Sequence, residues 1–222
     1  CFKAVKIQLM RIISHRGYWK TPAEKNTIHA FQRSFALGFG TETDIRDLKG
    51  ELVISHGMPK GDEIRFEEFL ALASSYQHIN SLTLALNIKS DGLLAPLEKI
   101  IAKYKHLDIF VFDMSVPDSR SYLNSGLSTF MRMSEVEKTA AWLDQAEGIW
   151  LDGFTSIWYD SIMLYSILSK GKKLCIVSPE LHGRDQMELW PLLNSFTHYE
   201  SLILCTDSPE KAAAYFENGC QE

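Results

Sequence analysis

The sequence predicts an α/β fold, a (β/α)8 barrel of the TIM type with one extra antiparallel strand, and three observations lead there. Eight short apolar runs alternate with stretches of helical periodicity, the pattern of repeated β-α units. A length of 222 residues with 45% hydrophobic content is enough to bury one sizeable core. A ninth apolar run follows the second after only a few residues, too close to cross over to a parallel neighbour.

The predicted barrel strands are Arg11–His15, Thr41–Arg46, Leu82–Lys89, Ile109–Met114, Thr129–Arg132, Gly148–Asp152, Lys173–Ser178 and Leu202–Thr206. The extra strand is Leu52–His56, joined through Asp47-Leu48-Lys49-Gly50, a hairpin-like link. Between the strands, Thr27–Leu37 places Ile28, Ala30, Phe31, Phe35 and Ala36 on one helical face, with Gly38 as its C-cap. Phe66–Ser74, Leu93–Tyr104, Glu135–Asp144, Ile157–Lys170, Asp185–Asn194 and Pro209–Glu217 read as helices in the same way. Asp207-Ser208-Pro209 has the form of a cap followed by a first-turn proline. In such a barrel the site lies at the C-terminal ends of the strands.

Composition narrows the function. The formal net charge of -5, with Lys and Arg scattered, argues against nucleic acid as the partner. No stretch reaches the roughly 18 apolar residues that a membrane span needs. The four cysteines, Cys1, Cys175, Cys205 and Cys220, lack metal-ligand spacing. The expectation is a cytoplasmic protein without disulfides. Residues 1–9 read as an N-terminal extension or an expression remnant, without the cleavage pattern of a secretory signal, and residues 10–222 as a single barrel domain.

The chemistry concentrates between His15 and His56. Each histidine ends an apolar strand and should face the barrel mouth. Glu42 and Asp44 are two apart on one strand, so both carboxylates share its inward face. Two converging carboxylates repel unless a cation lies between them or one is protonated. Oxygen ligands without a cysteine cluster favour Mg²⁺ or Ca²⁺. Arg16 offers a planar fork suited to phosphate oxygens.

In order, Ser14-His15-Arg16-Gly17, Pro22-Ala23-Glu24-Lys25-Asn26-Thr27, Glu42-Thr43-Asp44 and Ser55-His56 resemble the motifs of the glycerophosphodiester phosphodiesterase family. Leu86-Asn87-Ile88-Lys89 and Ile203-Leu204-Cys205-Thr206-Asp207-Ser208-Pro209 extend the resemblance over roughly Met10 to Phe216. It implies a divergent phosphodiesterase that cleaves a small, glycerol- or sugar-linked phosphodiester. Glu42, Asp44 and Asn87 would hold one divalent cation, His15 and His56 would be the acid/base pair, and Arg16 and Lys89 would bind the phosphate.

The sequence departs from the family in several places. Asn87 stands where the family has a third metal carboxylate, so affinity should be weaker unless Asp113, Asp152 or Glu180 compensates. Gly57 replaces the usual Asp after the second histidine, and extra residues surround Glu24. The seventh barrel strand ends in Ser178-Pro179-Glu180-Leu181-His182-Gly183-Arg184, bringing ionisable groups to an otherwise apolar wall. Glu180, His182 and Arg132 are therefore candidate substrate contacts, with mutual ion pairing across the mouth the equal alternative. Ser178–Arg184 is a candidate lid. Trp150 reads as a packing residue on the helix side, with an inward platform as the alternative. Two other functions stay open: a cyclic-phosphate-forming lyase of the phospholipase type, and a non-catalytic barrel that binds an anionic small molecule.

Overall fold

The computed structural model describes residues 10–76 and 82–218. The predicted residue 1–9 extension, Cys1 and Cys220 lie outside them. Eight parallel strands are arranged in the order β5-β4-β2-β1-β9-β8-β7-β6, and β3 pairs with β2. They are β1 Arg11–His15, β2 Gly40–Leu48, β3 Glu51–Ile54, β4 Thr83–Ile88, β5 Asp108–Phe112, β6 Phe130–Met133, β7 Gly148–Leu151, β8 Lys173–Val177 and β9 Leu202–Thr206. The barrel closes between β5 and β6 through a single parallel bridge, Val111 to Thr129. As expected, β3 is antiparallel. Lys49 (φ 52) and Gly50 (φ 85) make its tight turn.

Alternation along the strands fills the barrel. Ile13, Ala85, Phe110, Phe130, Cys175 and Ile203 form an interior cluster. The Phe110 and Phe130 rings stack at 3.9 Å. Phe112 stacks on Trp150 at 3.8 Å, so the indole points inward rather than anchoring a helix. Cys175 and Cys205 are free and buried. At the N-terminal end, Arg11 Nη1 donates to Thr83 Oγ1 (2.8 Å) and pairs with Asp108, and Lys173 pairs with Glu147 (2.7 Å). That polar plug leaves the opposite end as the open mouth.

The helices are α1 Ile28–Ala36, α2 Phe66–Tyr76, α3 Leu94–Ile101, α4 Val116–Leu123, α5 Ser161–Leu168, α6 Trp190–Leu193 and α7 Pro209–Asn218. Thr27 caps α1 by accepting from Ala30 N, and Gly38 follows it with φ 81. The helix expected over Glu135–Asp144 is absent. That segment forms a Ser134–Glu137 bridge and turns, and Trp142 takes φ 57, outside the helical region. The unforeseen α4 starts at the Ser115 cap with Pro117 in its first turn. Its mostly polar sequence hides the apolar face, which buries only Ser119 and Tyr122. Pro191 also splits the helix expected over Asp185–Asn194 into a 3-10 turn, Gln186–Glu188, and the short α6. Among the described residues, no helix is long and apolar enough to cross a membrane.

The β2–β4 packing yields a stability prediction. A Cβ on Gly40 would lie 2.0 Å from the Thr83 carbonyl oxygen, whereas one on Gly57 would meet nothing within 4 Å. Gly40→Ala should therefore destabilise by about 3 kcal/mol or more in urea unfolding. Gly57→Ala should stay within about 0.5 kcal/mol. Equal midpoints for the two variants would rule out this strand contact.

Candidate active site

The strand register brings the leading motifs together. His15 lies beside Glu42 across β1 and β2, and Asp44 lies beside Asn87 across β2 and β4. His15, Arg16, Glu42, Asn87 and Lys89 line one side of a cavity of about 330 Å³ at the mouth. Asp113, Arg132, Trp150, Asp152, Phe154 and His182 line the other side. Arg16 (φ 58) and Asp113 (φ 70) both adopt left-handed backbone conformations there, a strain that surrounding structure must hold in place.

Asp44 is the fully buried hub of the first half. Oδ2 accepts from Asn26 Nδ2 at 2.9 Å and lies 3.0 Å from Arg16 Nε, an ion pair without hydrogen-bond alignment. Oδ1 lies 3.1 Å from His56 Nδ1 and 3.4 Å from Lys89 Nζ. Burial alone would raise the Asp44 pKa. Arg16, then Lys89, Asn26 and His56, overcome that and hold it below the usual range.

Glu42 shows the opposite balance. Burial first, then the charge of Asp44, push its pKa up to about 8, against weaker pulls from Arg16, Lys89 and Asn87. Glu42 Oε2 and Asn87 Oδ1 are buried with no hydrogen-bond partner. Such acceptors are costly to leave unmet. Two unmet oxygens at the mouth fit a hard divalent cation. Asp44 could add an oxygen only where His56 or Lys89 yields one. Among the described residues, no group of three or more His, Cys, Asp or Glu is arranged to hold a metal.

The histidines occupy different hollows. His15 Nδ1 lies 2.8 Å from Asp207 Oδ1, and its Nε2 is 3.9 Å from Glu42 Oε2. Burial lowers the His15 pKa, and Asp207 only partly restores it. His56 is 55% exposed and lines an adjoining groove with Lys25, Asn26 and Glu63. Its Nδ1 is 2.8 Å from Arg16 Nη2. The Arg16 side chain stands between the two hollows and lines both.

The other predicted residues divide. Arg132 Nη1 donates to Asp113 Oδ1 at 2.7 Å, and its Nε donates to Glu137 Oε2 at 3.3 Å. His182 Nε2 lies 2.7 Å from Asp152 Oδ1. Both side chains thus face the mouth while paired across it. Glu180 does not line the cavity. It accepts from Ser178 and Thr206 hydroxyls and, at 3.2 Å, from Asp207 N. It therefore braces the strand end that carries Asp207. Of the acids expected to compensate for Asn87, Asp113 and Asp152 line the same cavity, paired with Arg132 and His182, and Glu180 is bonded to Ser178, Thr206 and Asp207. Ser178–Arg184 is a pinned wall. Trp190 Nε1 donates to Ser178 Oγ at 2.9 Å, and Arg184 Nη2 donates to Gly153 O at 2.6 Å.

Two residues emerge only in three dimensions. Asn26 holds Asp44 and accepts from Thr43 Oγ1 at 2.9 Å, whereas its neighbour Glu24 accepts from Arg33 and Lys20 N on the outside. Asp207 orients His15 from the far end of the chain. The available signal is its Thr206-Asp207-Ser208-Pro209 context, which reads both as a helix start and as part of the resemblance but assigns Asp207 no partner.

No family model matches the chain, and curated proteins offer no match. Solved structures do share the fold. A phosphodiesterase from Oleispira antarctica, in complex with the product sn-glycerol-3-phosphate, aligns at TM-score 0.69 and 15% identity, over 92% of this chain and 95% of that one. Glycerophosphodiester phosphodiesterases from Agrobacterium tumefaciens (TM-score 0.65, 16% identity, 92% and 99%) and Parabacteroides distasonis (0.63, 17%, 96% and 99%) align similarly. At these identities the likeness is one of fold.

Asp207 raises the His15 pKa, so Asp207→Asn should move the His15 titration to still lower pH, as followed by NMR of the imidazole. An unmoved or raised midpoint would show that Asp207 does not govern this ring.

Proposed function

We propose that the chain is a phosphoric diester hydrolase, a divergent relative of the glycerophosphodiester phosphodiesterases. The observation that carries this reading is His15, anchored at Nδ1 by Asp207 at 2.8 Å, presenting Nε2 to a cavity that also holds Arg16 and Lys89. A neutral imidazole with one fixed tautomer is equipped to take a proton from water or a neighbouring hydroxyl. The two cations would bind the non-bridging phosphate oxygens. The phosphate would then compete with Asp44 for Arg16 and Lys89. His56, on the other side of Arg16, would exchange a proton with the departing alcohol.

Glu42, Asn87 and, through one oxygen, Asp44 would hold a single Mg²⁺ or Ca²⁺. When bound, such a cation polarises a phosphoryl oxygen and offsets charge developing there. Glu42 and Asn87 contribute the two unmet buried oxygens, and Asp44 keeps Arg16 and Lys89 aimed at the phosphate. The substrate expected is a small, soluble diester, since the cavity of about 330 Å³ lies at the low end of ligand sites.

The direct test is hydrolysis of bis(p-nitrophenyl) phosphate with Mg²⁺, Ca²⁺ or EDTA. His15→Ala and His56→Ala should each lower kcat by about 10²- to 10⁴-fold, and EDTA should abolish turnover. Activity surviving in His15→Ala would refute this role.

Calorimetry supplies an independent prediction. Glu42, held near 8, is largely protonated at pH 7 and must ionise to ligate. Cation binding should therefore release protons and strengthen as pH rises toward 8. Asn87→Asp should tighten Mg²⁺ or Ca²⁺ binding by about tenfold or more and lower the melting temperature of the metal-free protein. Unchanged affinity in that variant would remove Asn87 from the ligand set.

A further inference from the structure

Resting on the phosphodiesterase reading, we infer that Glu180 is a positioning residue for the reaction. From behind the cavity wall it fixes Asp207, and through Asp207 the tautomer of His15.

Asp207 lies one residue beyond β9. The ladders that flank this strand end at Cys205 on the β8 side and at Thr206 on the β1 side. The bond from Ser178 N to Cys205 O is the last backbone link to the β8 side. The Asp207 amide thus leaves the sheet, and its N–H needs another acceptor. Glu180, in the 3-10 turn Pro179–His182 that follows β8, supplies Oε1 at 3.2 Å. The same oxygen accepts from the Thr206 hydroxyl, and Oε2 accepts from the Ser178 hydroxyl. One side chain ties β8 to β9 where their backbones part.

The donors give this chain a direction. Trp190 Nε1 can only donate, and it donates to Ser178 Oγ at 2.9 Å, while Ser178 passes its own proton to Glu180. Ser208 N donates to Thr206 Oγ1 at 3.0 Å, and the Thr206 proton likewise goes to Glu180. Every hydrogen bond that Glu180 accepts comes from a neutral group, and an acceptor-only carboxylate answers all of them. Ser178, Thr206 and Trp190 are buried, which shields these bonds from water. With both oxygens committed to the strand ends, Glu180 has a structural target other than substrate.

At the far end of the chain, Asp207 Oδ1 meets His15 Nδ1 at 2.8 Å and Trp19 Nε1 at 3.3 Å. A carboxylate only accepts, so this pairing puts the His15 proton on Nδ1 and leaves Nε2 as the acceptor. A base oriented by a third group is a recurring device of activated sites. Here the third group is itself held by a fourth, from the turn after β8.

The test uses Glu180→Ala, Glu180→Gln and Thr206→Val in the full chain, checked for folding by circular dichroism. One readout is kcat and KM for bis(p-nitrophenyl) phosphate. The other is the nitrogen NMR signature of the His15 ring at alkaline pH, where the imidazole is neutral and the shifts report its tautomer. Glu180→Ala should lower kcat and kcat/KM together by about 10- to 100-fold. It should also turn the His15 signal from the Nδ1–H tautomer into a mixture. Glu180→Gln keeps an oxygen for Thr206 and Asp207 N and should recover most of both. Adding Glu180→Ala to Asp207→Asn should cost no further activity, because the two act through one hydrogen bond. Thr206→Val removes one donor, should give an intermediate loss, and serves where Glu180→Ala does not fold. A folded Glu180→Ala with normal kcat and an unchanged His15 signal would overturn the positioning role and leave the phosphodiesterase standing, whatever its melting temperature. A rise in KM alone would overturn it too, in favour of a substrate contact. A changed tautomer in the variants of a parent that hydrolyses nothing would keep the link from Glu180 to His15 and refute the hydrolase. An unchanged tautomer without turnover would refute both.

Discussion

The mouth of this barrel is organised around one buried carboxylate. Asp44 ends the inward face of β2 with no exposed side-chain surface, and an isolated charge in that position would be strongly destabilising. The chain answers with donors from four other segments: Asn26 before α1, Arg16 after β1, His56 after β3 and Lys89 after β4. Satisfying Asp44 therefore draws together the residues that a phosphate would meet. The left-handed backbone at Arg16 and Asn26 follows from the same demand, since both loops must turn their side chains back over the strand end.

Glu42, two residues earlier, lacks that company. Deeper in the barrel and close to Asp44, it is pushed toward its neutral form. Two like residues on one strand face are thus driven apart, one held ionised and the other held toward its neutral form. Local surroundings set this division, because both start from ordinary carboxylic acids. The pairing of His15 with Asp207 adds a constraint from the last strand, so the site draws on both ends of the barrel sequence. Glu180, bonded to the Asp207 backbone, supports that constraint from the wall.

The far half of the mouth follows a different rule. There Arg132 is shared by Asp113 and Glu137, His182 meets Asp152, and the stacked Phe112 and Trp150 rings continue the aromatic interior of the barrel. The near half concentrates positive charge around Asp44, while in the far half three carboxylates, Asp113, Glu137 and Asp152, meet Arg132 and His182.

Much of this was legible in the sequence. Period-two alternation on the strands and the short link after Asp44 determined the barrel, the antiparallel β3 and the inward direction of Glu42 and Asp44, because these are local properties of backbone and spacing. The helix read over Glu135–Asp144 failed because Glu135 serves a loop after β7, and the polar α4 was missed because its burial comes from neighbours. The partnership of His15 with Asp207, the separation of His56 by Arg16, the inward Trp150 and the turning of Glu180 away from the mouth were decided only by tertiary structure. A side chain's residue type and strand parity are written locally. Which opposite charge reaches it first depends on segments far apart in sequence that barrel closure brings within a few ångströms.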